Sequence, residues 1–342
     1  MVPICGCDSF GAAHKPSKFQ IPPLACHEHA EVLFVQKLLA IVMEIGLTGA
    51  NGFVGQHFTP YLTARGLHVV PLVRGVDIGP VLTGLDVVVH LAARVHIMNE
   101  TSSNPLAEFR QSNVEATEAL ARQAAKAGVR RFVFMSSVKV NGEETQPGQA
   151  FRETDEPHPQ DAYGISKWEA ELVLRQIAVE TGMEVVIIRS PLVYGPGVKA
   201  NFAALMRAVQ RGWPLPFGGI KNARSLVGLD NLMDFIHCCM THPAARDETF
   251  LVSDGQDVSS GQLVIELALV QGVSPRVWSV PPCVLESLAG WLGKRKAVQR
   301  LCSSLQVDIS KAHQLLAWQP PLSLREGFQK MVSKGRNCET II

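Results

Sequence analysis

From residue 43 onward, short and nearly unbroken apolar runs alternate with longer stretches whose apolar residues recur every three or four positions. The runs at 44–47, 68–73 (HVVPLV), 86–91 (DVVVHL), 131–136 (RFVFMS) and 184–189 (EVVIIR) predict five strands. Helices are expected from about 55 to 65, from 105 to 127 and from 162 to 180, the first two closed by Gly66 and Gly128. Strands that are apolar throughout and separated by helices belong to a parallel sheet covered on both faces. The pattern therefore predicts an α/β fold with a doubly wound parallel sheet.

After about 191 the rhythm changes. Prolines and glycines crowd 191–219, helical spacing then dominates, and one short strand is expected at 250–252. This division predicts a dinucleotide-binding Rossmann domain over 43–190 and a smaller, mostly substrate-binding lobe over 191–332, with some segments returning to the first domain. Residues 333–342 read as a polar tail. Ahead of the pattern, 32–43 (VLFVQKLLAIVM) is apolar but carries Gln36 and Lys37. It falls short of the roughly 20 residues of a spanning helix, and no small-residue cleavage site follows. Residues 1–42 are expected to lie outside the fold, with Met43 as an alternative start.

Charge narrows the partners. Among 342 residues, Lys+Arg 32 nearly cancels Asp+Glu 31, for a net charge of +1. Such a balance gives no broad attraction to nucleic acid or to an anionic membrane, so an anionic ligand must be met by local groups. Eight cysteines lack the density of a disulfide scaffold and point to a reducing cytoplasm. Cys5-Gly6-Cys7 and Cys26-His27-Glu28-His29 match no common zinc spacing, and no metal is expected.

Between the first strand and the first helix, Gly49, Gly52 and Gly55 form GxxGxxG. The first permits a tight turn, the second lets backbone approach a pyrophosphate, and the third lets helix and strand pack closely. The helix N-terminus supplies N–H groups and partial positive charge. Together with Asn51, Phe53 and Val54, this turn is expected to bind a dinucleotide. An NAD-binding domain usually carries an acid after its second strand. This chain carries Arg74, which suits a 2′-phosphate, so the cofactor is NAD or NADP. Asp77 is placed at the adenine end.

Tyr163 and Lys167 are four apart at the start of a predicted helix and share a face. A tyrosine titrates near pH 10, and a nearby ammonium favours its phenolate, which can then exchange a proton with a sugar hydroxyl. Lys167 can also hold the nicotinamide ribose. Ser136-Ser137 ends the fourth strand, where strand carboxyl ends face a ligand crevice. Asn113 is a polar residue midway along the long helix, either solvated or bracing the site.

Taken together, the glycine motif, His90-Leu91-Ala92-Ala93, Asn113, Ser137, Tyr163-x-x-x-Lys167 and Val193-Tyr194-Gly195-Pro196-Gly197 resemble the extended short-chain dehydrogenases/reductases. More narrowly they resemble the NAD-dependent epimerase/dehydratase group acting on nucleotide sugars. The resemblance runs from 43 to about 332. It implies catalytic Ser137, Tyr163 and Lys167, cofactor contacts at Leu91, Ala92, Ala93 and Asn113, and substrate pyrophosphate contacts at Asn201 and Arg224. Two positions depart from the family pattern. Val140-Asn141-Gly142 replaces the usual VYG, and Leu192 replaces an Asn that many epimerases carry.

The stretches HLAARVHIMNE, SSVKVNGE, PQDAYGISKWEAE and PLVYGPGVKANF look most like the bacterial O-antigen branch, which reduces UDP-4-keto-6-deoxy-N-acetylglucosamine to UDP-N-acetylquinovosamine. The alternative is a UDP-hexose 4-epimerase with retained NAD. A 4,6-dehydratase is disfavoured, because Val138 and Lys139 follow Ser137 where an Asp-Glu pair would be needed. A non-catalytic dinucleotide sensor is disfavoured because Tyr and Lys are both kept. The stretch 284–301 carries Leu285, Leu288, Ala289 and Leu292 at helical spacing and reads as a core or dimer-facing helix rather than a membrane anchor, so a homodimer is expected.

Overall fold

The computed structural model describes residues 43–75, 78–95, 104–146, 148–281, 283–285, 287 and 295–339. The expectations for residues 1–42, for Asp77 and for much of 284–301 lie outside the described residues.

Six strands form one parallel sheet: β1 (Glu44–Thr48), β2 (His68–Leu72), β3 (Val87–His90), β4 (Arg131–Ser137), β5 (Glu184–Ser190) and a late strand, β8 (Thr249–Leu251). Their order is β2-β1-β3-β4-β5-β8. The apolar runs are long because both faces are covered. Ile45, Leu47, Val87, Val89, Val133, Val186 and Ile188 fill one face with Phe58 and Leu62. Val88, Phe132, Phe134, Val185 and Ile187 fill the other with Leu120, Leu174 and Ile177. Period-two alternation thus persists inside each run, with an apolar side chain facing each way.

Helix α1 (Gly55–Thr63) follows β1, and a short α2 (Gly79–Leu82) follows β2. The single helix expected over 105–127 is interrupted. Helix α3 (Pro105–Arg110) passes through a π-helical turn (Gln111–Glu115) into α4 (Ala116–Lys126). No proline or glycine marks the break. It lies where Asn113 turns its amide inward, as described below. Helix α5 (Ala162–Thr181) runs from an Asp161 cap to Gly182, whose φ of 74° suits a left-handed C-terminal cap.

Beyond β5, β6 (Leu192–Tyr194) pairs in parallel with β7 (Leu226–Gly228). Helices α6 (Ala200–Gln210), α7 (Leu229–Thr241), α8 (Ser260–Gln271), α9 (Arg295–Cys302), α10 (Ser310–Leu316) and α11 (Leu324–Glu339) complete the described chain. A third apolar cluster gathers Tyr194, Phe202, Leu226, Val264, Leu267, Leu324 and Phe328. Within it the Tyr194 hydroxyl donates to Asp254 Oδ2 at 2.7 Å and approaches the Leu324 carbonyl at 3.3 Å. Among the described residues no helix is long and apolar enough to cross a membrane.

Strand β1 has β2 on one side and β3 on the other. The chain reverses its direction of winding there, and the crevice at such a switch point is where open α/β sheets bind ligands. The glycine turn follows β1, so sheet topology alone brings it to that crevice.

Candidate active site

Sterics account for two of the three glycines. Gly49 has φ +70°, and a Cβ there would sit 2.8 Å from the Ala92 backbone nitrogen. A Cβ on Gly55 would lie 2.2 Å from the Gly49 carbonyl oxygen. The first glycine therefore lets the turn lie against the loop after β3, and the third lets α1 pack onto the turn. The Gly52 N–H closes the turn on the Gly49 carbonyl at 2.8 Å. A cavity of about 910 Å³ opens over this turn, lined among others by Gly49, Asn51, Gly52, Arg74 and Leu91, Ala92 and Ala93. Phe53 and Val54 do not line it; they pack against the core beneath.

A chain of hydrogen bonds runs beneath the cavity floor. The Ala92 N–H reaches Thr48 Oγ1 at 3.1 Å, and Thr48 Oγ1 lies 2.7 Å from His90 Nδ1. His90 Nε2 lies 3.0 Å from Thr117 Oγ1, which donates to the Asn113 carbonyl at 2.7 Å. Thr117 has one proton and spends it on that carbonyl, so it must accept from Nε2–H. Nδ1 is then the acceptor of His90, and Thr48 donates to it. Burial, followed by the charges of Lys167 and Arg74, pushes the His90 pKa down to about 3. The ring is thus neutral and its tautomer is set by its partners.

The Asn113 amide, at a position expected among the cofactor contacts, is held by protein. Nδ2 donates to the Arg94 carbonyl and to Ser166 Oγ, both at 3.0 Å, and Oδ1 accepts from the Arg94 N–H at 2.8 Å. The residue is 1% exposed. It braces the loop after β3 against the helix that carries Tyr163, and the π-helical turn gives its side chain that direction.

Of the two serines ending β4, Ser136 points inward and donates to Glu171 Oε1 at 2.5 Å. Ser137 points the other way, and its hydroxyl favours the ionised form of Tyr163. Burial outweighs that effect and, with the Asp161 charge, pushes the Tyr163 pKa up to about 12. Lys167, expected to favour the phenolate, has partners of its own. Its ammonium donates to the Met135 carbonyl at 2.7 Å and lies 4.3 Å from the centre of the Phe134 ring. Burial lowers the Lys167 pKa to about 7, against the opposing charge of Glu171.

Glu171 anchors a network that the sequence did not reveal. Arg189 on β5 forks onto it, Nη2 to Oε2 at 2.7 Å and Nε to Oε1 at 3.0 Å. Arg189 Nη1 also donates to Asn141 Oδ1 at 3.1 Å. That bond gives the Asn141 departure a structural role: a short amide answers a buried guanidinium. The only hint in the sequence was an Arg at the end of an otherwise apolar strand.

The two residues assigned to the substrate pyrophosphate come from separate segments, Asn201 from α6 and Arg224 from the approach to β7. Asn201 is exposed at the start of α6. Arg224 Nη1 donates to the carbonyls of Arg300 at 2.7 Å and Ser303 at 3.0 Å. Arg74 is exposed at the rim of the dinucleotide cavity.

Comparison with known proteins fits this geometry. The family model described as NAD dependent epimerase/dehydratase family matches residues 45–253, and the chain belongs to that family. It is 45% identical over 306 residues to a UDP-glucose 4-epimerase of Vibrio cholerae, covering 83% of this chain and 93% of that one. It superposes on the UDP-glucose 4-epimerase of Thermotoga maritima, solved with UDP-glucose, with a TM-score of 0.70 and 25% identity over 87% of this chain and 100% of that one. The RMD protein of Pseudomonas aeruginosa, solved with NADPH, gives a TM-score of 0.68 at 23% identity over 86% of this chain and 99% of that one. The protein is an enzyme of the nucleotide-sugar epimerase and reductase class.

Proposed function

We propose that the protein reduces the C4 carbonyl of a UDP-4-keto-6-deoxy-N-acetylhexosamine, giving a UDP-N-acetylquinovosamine-type sugar for polysaccharide precursors. The observation that carries this reading is the pairing of Tyr163 with Ser137. A buried phenol beside that hydroxyl can donate a proton to a carbonyl oxygen becoming a hydroxyl. Ser137 holds the same oxygen, so it approaches the phenol in line. Asn201 and Arg224 hold the pyrophosphate of the substrate, for which the arginine fork is suited.

The cavity over the glycine turn suits a dinucleotide, because Gly49 and Gly55 leave no room for side chains at the turn. Gly49, Asn51, Gly52, Leu91, Ala92 and Ala93 would hold it, with Arg74 at the adenosine ribose, accepting NADP as well as NAD. When bound, the nicotinamide supplies or takes up the hydride at C4. Neighbours of this fold solved with NAD or NADPH support both cofactors. The reading also makes the enzyme a cytoplasmic homodimer.

A UDP-hexose 4-epimerase is the second reading, favoured by the 45% identical relative that bears that name. Leu192, 46% exposed on β6, stands where many epimerases carry Asn and weighs against it. One experiment separates the two. The full chain is incubated with UDP-4-keto-6-deoxy-GlcNAc plus NADPH or NADH, and separately with UDP-glucose and UDP-GlcNAc. Net cofactor oxidation with the first substrate is expected. C4 inversion without net redox would replace the reductase reading by the epimerase one.

A further inference from the structure

Immediately after Ser137 the chain makes a 3-10 turn, Val138–Val140, and this turn is tied to the start of α5 at three points. The Lys139 N–H bonds Ser137 Oγ at 3.3 Å. The Lys139 ammonium pairs with Asp161, the residue that caps α5, and with Glu143 Oε1 at 2.8 Å. Asp161 meanwhile accepts the Gly164 N–H at 2.7 Å through its other oxygen. Backbone packing is equally close: a Cβ on Gly164 would lie 2.9 Å from the Lys139 carbonyl oxygen. The His158 N–H, on the approach to α5, donates to the Val140 carbonyl at 2.9 Å. Lys139 and Asp161 side chains are 25% and 24% exposed, so water screens their pairing only in part.

We infer that Lys139 is a positioning residue, whose ammonium clasps the Asp161 cap so that Ser137 and Tyr163 keep one fixed separation and the phenol is shielded from the Asp161 carboxylate. This rests on the reading of Ser137 and Tyr163 as the reacting pair. The two residues come from different elements, the end of a strand and the first turn of a helix. Their spacing therefore depends on what joins those elements, and a small displacement of reacting groups has large kinetic effects. The charge effect follows from the same contact. Asp161 raises the proton affinity of Tyr163, and an ammonium held on Asp161 opposes it. Among the described residues, other charged groups in this region are Glu143 just past the turn, Lys167 on α5, and the Arg94–Glu108 pair behind Phe109, whose ring meets Tyr163 edge-on at 6.2 Å. Of these, Lys167 also joins α5 to β4 through the Met135 carbonyl, one turn further along the helix, whereas Lys139 reaches the Asp161 cap itself.

The test uses the full chain loaded with NAD and labelled at tyrosine Cζ, read by carbon NMR. The chain has three tyrosines, so Tyr163→Phe assigns the signal. Lys139→Met should carry about tenfold less Tyr163 phenolate at a fixed alkaline pH, and Asp161→Asn, which keeps a capping side chain, about tenfold more. The double variant should lie between them. In turnover, Lys139→Met should lower kcat by roughly ten- to a hundredfold with cofactor KM unchanged, since Lys139 does not line the dinucleotide cavity. Lys139→Arg should restore most of the loss. A Lys139→Met protein whose Tyr163 signal titrates as in the parent overturns the inference, as does a loss confined to sugar KM, which would make Lys139 a substrate contact. Full activity in Tyr163→Phe would instead overturn the reacting pair itself, and the NMR result still reports on the clasp.

Discussion

Tyr163 is where the chemistry is most exposed to a single substitution. Tyr163→Phe keeps the ring against Phe109 and removes the proton carrier of the proposed reaction. Turnover is expected to fall by roughly 10²–10⁴, with cofactor affinity nearly intact. Ser137→Ala should also slow turnover, and the two losses should not add, because the proposed reaction has both residues act on one oxygen. Steady-state kinetics of both single variants and the double variant check this. Buried bases give the protein a distinctive pH response. Lys167 binds its proton less tightly when folded, about 7 against 10.5. Between those values the unfolded chain holds more protons, so folding stability should rise with pH, by up to about 1.4 kcal/mol per unit. His90 adds a slope of the same sign below its ordinary value of 6.5, so stability should fall as pH drops from 6.5 toward 3. Denaturant midpoints at several pH values would show both. Lys167→Met should flatten the alkaline slope and leave the acid one.

Among the elements, strands were the most legible. The five apolar runs all appear in the sheet with ends shifted by only a residue or two; four are covered on both faces and leave little room for a polar interruption, while β2 lies at the sheet edge and is partly exposed. The glycine turn was legible for a related reason: at Gly49 and Gly55 a side chain has nowhere to go. Gly55→Ala is accordingly expected to separate α1 from the turn, weaken dinucleotide binding severely and lower the melting temperature, as calorimetry with and without NAD would record. The π-helical turn was not legible. What fixes it is a set of bonds from Asn113 to Arg94 and Ser166, 19 residues before it and 53 after, and helical periodicity carries no information about such partners. The tautomer of His90 was hidden likewise, because it depends on Thr48 and Thr117 meeting across two elements. Asn113→Leu should lose the brace while keeping volume. The expected signature is slower turnover together with faster amide exchange in 91–95, measured by hydrogen exchange.

At the scale of the whole molecule, sheet topology brings distant residues to one edge. Ser137 ends β4 opposite Ser190 on β5, and the glycine turn ends β1 two strands away. Behind that edge, Arg189 and Glu171 form a pair only 1% and 0% exposed. Removing one partner leaves a buried charge, and Glu171→Gln is expected to cost about 3–5 kcal/mol, measured by chemical denaturation. Loss of both, as in Glu171→Leu/Arg189→Met, should cost less than the sum of the singles.

The outermost strand has a consequence for how this chain is made. Strand β5 pairs with β8, and Ile187 meets Thr249 across an interval of 62 positions. A ribosome delivers the first five strands of the sheet well before it delivers the one that covers their last edge. During that interval the nascent chain offers an apolar strand with unpaired backbone groups to whatever lies nearby, including the same strand on a neighbouring nascent chain. Stalled or clipped products ending between 191 and 248 should therefore clump rather than stay dispersed, while those reaching past Leu251 should not.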